Sequence, residues 1–242
     1  MTVREEASLK NVFVIYILFA STFVSFFWGG YHVLNPTLFL VGLFVSSVVC
    51  VWASMQMRFA SLLVMMLVTL ATAAVDEYAH TSAGIFAYFD GGLPSPLTVF
   101  GWSLFVLGML TFAKYLHKLV LHRVPDGLAE RIAPAMASIC FVLVAMAAQN
   151  YLPHVSWLLG AVYGAMFLAS LRYSRGQTPG WNLSVMISSV LVGATMEALG
   201  AMERLWSFRG SEPLLPFMAF TWSLRIWTVL YISRLLDAEY EI

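Results

Sequence analysis

Apolar positions run in long stretches along this chain, and polar positions collect in short intervals between them. Eight stretches are long enough to cross a bilayer as helices: 11–34, 37–56, 59–80, 97–117, 131–149, 154–173, 181–201 and 214–236. A hydrocarbon core of about 30 Å takes roughly 20 apolar helical residues. Breaks fall at Asn35-Pro36, at Gln56-Met57-Arg58, and from Asp90 to Pro94. The others run from Arg123 to Gly127, Asn150 to Pro153, Arg175 to Gly180 and Arg209 to Pro213. All are rich in turn-forming or charged residues. The pattern predicts an all-α, polytopic transmembrane bundle.

Composition points the same way. Of 242 residues, 60% are hydrophobic and 11% charged, with a mean hydropathy of +0.81. Soluble domains carry about 25% charged residues, so this chain cannot clothe itself in a water-facing surface. That excludes a soluble enzyme, a nucleic-acid binder and a disordered protein. Thirteen basic residues balance thirteen acidic ones, which points to no polyanionic partner. Cys50 and Cys140 stand apart in apolar runs and form neither a disulfide framework nor a metal signature.

The distribution of charge sets an orientation. Arg4, Lys10, Arg58, Lys114, Lys118, Arg123, Arg131, Arg172, Arg175 and Arg234 fall on the side of the N-terminus, and Arg204 and Arg209 fall opposite. The positive-inside rule then predicts a multi-pass protein of the cytoplasmic membrane with both termini cytoplasmic. The first stretch follows Arg4, Glu5, Glu6 and Lys10 without a small-residue cleavage site, so no cleaved signal peptide is expected.

A repeat lies within the chain. At an offset of 120 residues, the segment Pro96 to Leu104 matches Pro216 to Leu224 at five of nine positions, including Phe100 with Phe220 and Trp102 with Trp222. The same offset sets Glu77 on Glu197, Phe86 on Trp206, Tyr31 on Tyr151 and Lys114 on Arg234. Two four-helix repeats, 1–120 and 121–242, are therefore expected in one membrane domain. Four spans per copy orient both alike, around a pseudo-two-fold axis along the membrane normal.

Ionisable residues inside spans are costly and usually face protein or a wet cavity. Here they are Asp76, Glu77, His80, Glu197 and Arg225. Asp76, Glu77 and His80 share one broad helical face. His32, His154, Asp90 and Glu203 sit near span ends, where contact with water suffices to explain them. A carboxylic acid in apolar surroundings keeps its proton more readily than in water, which suits a general acid. Glu77 and Glu197 are the candidates, with Asp76 and His80 beside them. Arg225, whose place in the first half is taken by Phe105, is expected to neutralise Glu197. Phe86, Tyr88, Trp102, Trp206, Trp222 and Arg225 are candidate substrate-binding residues. Aromatic faces stabilise cations, including carbocation-like intermediates.

Blander readings stand beside these. Most of the eight tryptophans fit an interfacial belt. Gly160 and Gly164, with the small face of Gly193, Ala194, Ala198 and Ala201, fit close helix packing. Glu77-Tyr-Ala-His80 has the ExxH spacing of di-iron bundles, but those need two such motifs and the second half offers Glu197-Ala-Leu-Gly200. No metal and no cofactor are expected. Lysine is missing from the middle of every span, which argues against a retinal Schiff base.

Glu77 followed by Gly84, Phe86, Tyr88, Pro94, Pro96 and Trp102 forms a pattern that returns as Glu197, Gly200, Trp206, Phe208, Pro213, Pro216 and Trp222. This pattern resembles membrane carotenoid-modifying enzymes. It is similar to the carotenoid hydratases of the bacterioruberin pathway and, more distantly, to the small-domain lycopene cyclases. The resemblance implies acid-assisted addition or cyclisation at a polyene end. The paired acids that follow the proline in those cyclases are replaced here by Thr98-Val99 and Met218-Ala219.

The expected function is thus an integral-membrane enzyme, a lyase or hydratase in carotenoid biosynthesis. It would act on an isoprenoid or carotenoid-like lipid by acid-assisted hydration or related double-bond chemistry. Its partner is a membrane lipid or lipophilic substrate, with no nucleic acid. The alternatives are a small-molecule or proton-coupled transporter or channel, and a structural subunit of a membrane complex. Nothing in the sequence sets the oligomeric state.

Overall fold

The computed structural model describes residues 58–89, 91–119, 121–124, 157–202, 204–208 and 215–238, with isolated positions between 135 and 142. Among these residues the protein is mostly helical. The helices are α1 (Phe59–Ser82), α2 (Pro96–Leu119), α3 (Trp157–Ser174), α4 (Pro179–Met202) and α5 (Leu215–Leu235). They begin and end within a few residues of five of the eight stretches expected from the sequence. The stretches 11–34 and 37–56 lie outside the described residues, as does most of 131–149. Both α1 and α4 have 24 residues and are long and apolar enough to cross a membrane. Each rises about 36 Å at 1.5 Å per residue.

Helix α5 is the hub. It packs along α4 and α3 and also touches α1, while α2 bridges α1 and α4. From Met218 to Leu230 nearly every α5 residue is buried, as expected of a helix apolar on all sides. Ser and Thr hydroxyls within the bundle bond to carbonyls across helices as well as along them. Ser170 Oγ donates to Leu224 O at 3.3 Å, and Thr228 Oγ1 donates to Met166 O at 3.4 Å.

Two short strands, β1 (Phe86–Tyr88) and β2 (Trp206–Phe208), follow α1 and α4 and pair antiparallel. Phe86 lies opposite Phe208, Ala87 opposite Ser207, and Tyr88 opposite Trp206. The chain enters both strands by the same turn. Gly84 N–H donates to Thr81 O at 3.0 Å and Ile85 N–H to His80 O at 3.1 Å. In the second turn, Arg204 N–H donates to Ala201 O at 3.1 Å and Leu205 N–H to Gly200 O at 2.8 Å. This is the Schellman arrangement, which needs a left-handed residue just beyond the helix. Gly84 supplies it at φ +71°, whereas Arg204 adopts φ +58° despite its side chain. These turns aim the strands back across the ends of α1 and α4, over the buried polar side chains.

Candidate functional site

The last turns of α1 carry Asp76, Glu77 and His80, and all three are buried. Glu77 is 3% exposed. Its Oε1 accepts from Trp102 Nε1 at 2.8 Å, and its Oε2 accepts from the Tyr88 hydroxyl. Tyr88 reaches it because the strand pair holds β1 across the end of α1. Burial, and then the Glu77 carboxyl beside it, push the Tyr88 hydroxyl well above the ordinary tyrosine range. It therefore stays a donor at neutral pH.

Glu197 on α4 is likewise buried, and its Oε1 accepts from Trp222 Nε1 at 3.0 Å. Trp206 lies across α4 at Gly200, where a β-carbon would collide with the indole ring. Only glycine lets that ring approach the backbone so closely. Trp206 also meets Tyr88 edge-on, with centroids 6.2 Å apart. Both glutamates are thus held by a tryptophan from the next helix.

The two tryptophans meet. The Trp102 and Trp222 rings are 4.8 Å apart and tilted by 42°. The Arg225 guanidinium lies over both, 4.6 Å from the Trp102 centroid and 4.8 Å from that of Trp222. Trp222 and Arg225 are three apart on α5, so they share a face. The ion pair of Arg225 is with Asp76, Nη2 to Oδ2 at 2.8 Å, and not with Glu197 as the sequence suggested. The central place of α5 explains the difference, because it brings Arg225 against α1 while Glu197 is engaged by Trp222. A cation–π site expected for a substrate is therefore already filled by a protein cation.

His80 extends the cluster to α3. Its Nδ1 lies 2.7 Å from Asp76 O and its Nε2 lies 2.8 Å from the Tyr163 hydroxyl. The rings stand edge to face at 5.5 Å. The tautomer that satisfies both contacts has Nδ1–H donating to the carbonyl and Tyr163 donating to Nε2. Tyr163 escaped sequence reading because it sits between Gly160 and Gly164 in an apolar run. A hydroxyl-bearing aromatic inside an apolar run was the available signal.

The structure therefore brings together Asp76, Glu77, His80, Tyr88, Trp102, Trp222 and Arg225, with Glu197 and Trp206 alongside. Phe86 is placed in β1, but its side chain is outside the described ones, as are His32, His154, Asp90 and Glu203. Among the described residues, no group of three His, Cys, Asp or Glu side chains is arranged to hold a metal ion. Two packing expectations change. Trp181 and Trp227 are buried in the bundle and do not lie in a belt, whereas Trp157 is 83% exposed. A β-carbon at Gly160 or Gly164 would meet nothing within 4 Å, so that pair does not seat a neighbouring helix among the described residues.

Chemically, the site holds two carboxyl groups in aromatic surroundings, each oriented by an indole N–H, beside a buried ion pair. Such fixed donors cost little reorganisation when charge develops nearby. No known protein family, curated protein or solved structure matches the chain.

Proposed function

We propose that this protein is an integral-membrane enzyme that adds water to a double bond of an isoprenoid or carotenoid-like lipid. The observation that carries this reading is the matched pair of buried acids, Glu77 held by Trp102 and Glu197 held by Trp222, whose tryptophans touch each other. A carboxylic acid fixed among aromatic rings is suited to protonating an alkene. The acid gives its proton to one alkene carbon, whose π electrons form the new C–H bond and leave a cation on the other carbon. Water forms the C–O bond there, and its surplus proton returns to the carboxylate. With Arg225 on Trp102 and Trp222, shelter for the cation falls to Tyr88 and Trp206. The isoprenoid substrate class comes from the resemblance of the two acid–aromatic–proline segments to carotenoid-modifying enzymes.

The architecture that goes with this reading is eight spans in two four-helix repeats, with cytoplasmic termini. Features of the two strand turns accord with the repeat, and exposure along α1 accords with lipid contact. Ala87 and Ser207, 120 residues apart, pair across the strands, and Gly84 and Arg204 share one backbone conformation at that same offset. Leu67 and Val75, eight apart on α1, are 65% and 54% exposed, which suits contact with lipid. Membranes containing the protein, incubated with candidate polyenes, should yield a product heavier by one water. Recovery of every polyene unchanged would remove this reading.

One observation favours a second reading, a proton-coupled transporter. The Asp76–Arg225 pair, with His80 and Tyr163, forms a buried polar chain from α5 through α1 to α3. Intramembrane chains of this kind also serve as proton relays. Proteoliposome flux without chemical change of the solute would select it.

A further inference from the structure

Arg225 is 1% exposed and Asp76 is fully buried, yet their contact is incomplete. The Nε and Nη2 atoms form one edge of the guanidinium, an edge that can meet both oxygens of a carboxylate through two parallel hydrogen bonds. Here Nη2 reaches Oδ2 at 2.8 Å as an ion pair. Neither Arg225 Nε, Arg225 Nη2 nor either Asp76 carboxyl oxygen makes an aligned hydrogen bond to a described residue. His80 does not fill the gap. Its Nδ1 stands 3.5 Å from Asp76 Oδ1 and is engaged at 2.7 Å with the Asp76 carbonyl.

Charged groups buried without hydrogen bonds are costly, so the chemistry of a satisfying guest follows from these atoms. A free cation is opposed by Arg225 and a free anion by Asp76. What fits both is a neutral group that donates to Asp76 Oδ1 and accepts from Arg225 Nε. One hydroxyl does both. A buried water commonly has two to four such partners. We propose that the Asp76–Arg225 edge is a binding site for a single hydroxyl group, carried by water or by a lipid alcohol. In its functional part this rests on the hydration reading, where the guest is the water to be added or the hydroxyl of the product.

The test is a structure of the full chain in lipid nanodiscs, without added substrate, at a resolution that shows ordered water. Density is expected within hydrogen-bond distance of both Asp76 Oδ1 and Arg225 Nε. Compact density identifies water. Density continuous with a lipid, with an alcohol recovered by lipid mass spectrometry, identifies the other source. A closed two-bond Asp76–Arg225 pair, or an ordered pair with no density beside it, overturns the proposal. A second arm uses the paired substitution Asp76→Leu with Arg225→Leu in the polyene assay in deuterated water. The ratio of water addition to deuterium entry at carbon is expected to fall at least tenfold, and an unchanged ratio overturns the functional part. If wild-type protein shows no chemistry, the hydration reading fails, and the density alone decides the binding site.

Discussion

Trp102 and Trp222 touch at 4.8 Å, and each gives its indole N–H to the glutamate that stands 25 residues earlier. Replacing either by phenylalanine keeps an aromatic ring and leaves one buried carboxyl oxygen without its donor. Each substitution should cost about 1–3 kcal/mol. The double variant should lose less than the sum, because both rings also support Arg225. Thermal unfolding in detergent, followed by tryptophan fluorescence, measures all three. Strict additivity would mean that the rings act independently.

The Asp76–Arg225 pair should behave as a buried ion pair. Removing one partner, as in Asp76→Ala or Arg225→Ala, leaves an uncompensated charge and should destabilise by about 3–5 kcal/mol. The combined Asp76→Leu and Arg225→Leu protein should be much closer to wild type, because apolar residues often replace such pairs at little cost. The same unfolding experiment gives both numbers. A pair variant worse than either single variant would contradict the ion-pair account.

The two helix-ending turns predict effects of opposite sign. Gly84 and Arg204 both have positive φ. Gly84→Ala places a β-carbon in the left-handed region and should cost about 1–2 kcal/mol. Arg204→Gly relieves that strain and should stabilise by up to about 1 kcal/mol, reduced by the freedom that glycine adds to the unfolded chain. Melting temperatures of the two proteins should therefore move in opposite directions.

Five helices were legible in the sequence because an apolar run between turn signals needs no tertiary information. The end of α1 at Ser82, two residues past the expected boundary, depends on the turn at Gly84. The acidic and aromatic members of the site were also legible, since a charge in an apolar run marks itself. Their partners were not. The sequence pairs Arg225, one turn beyond Trp222, with Glu197, but the depth of α5 in the bundle decides in favour of Asp76. Tryptophans near the ends of runs read as a belt, whereas Trp181 turns inward and gives its N–H to the buried Tyr173 hydroxyl. Strands of three residues are too short to show alternation, so β1 and β2 had no sequence signal.

Orientation in the membrane can be read by cysteine labelling in a background lacking Cys50 and Cys140. Leu93 and Ser207 are exposed near the strand end of the bundle, and Arg123 and Thr178 are exposed beyond α2 and α3. Cysteines at Leu93 and Ser207 should react with an impermeant reagent added to intact cells. Those at Arg123 and Thr178 should react only after permeabilisation. Labelling of Leu93 and Ser207 from opposite sides would remove the proposed arrangement of two repeats with one orientation.

Proton transfer from a buried glutamate to a polyene leaves its mark as deuterium at carbon when the solvent is deuterated. Wild-type protein, Glu77→Gln and Glu197→Gln are compared in deuterated buffer with the same polyene, and the product is analysed by mass spectrometry. A glutamine keeps the shape and an acceptor oxygen for the indole, but it cannot give up a proton as an acid. General acid catalysis contributes about 100- to 10,000-fold. Carbon-bound deuterium is expected in the wild-type product, with a loss of that order in at least one variant. Equal deuterium entry in all three proteins would contradict that transfer.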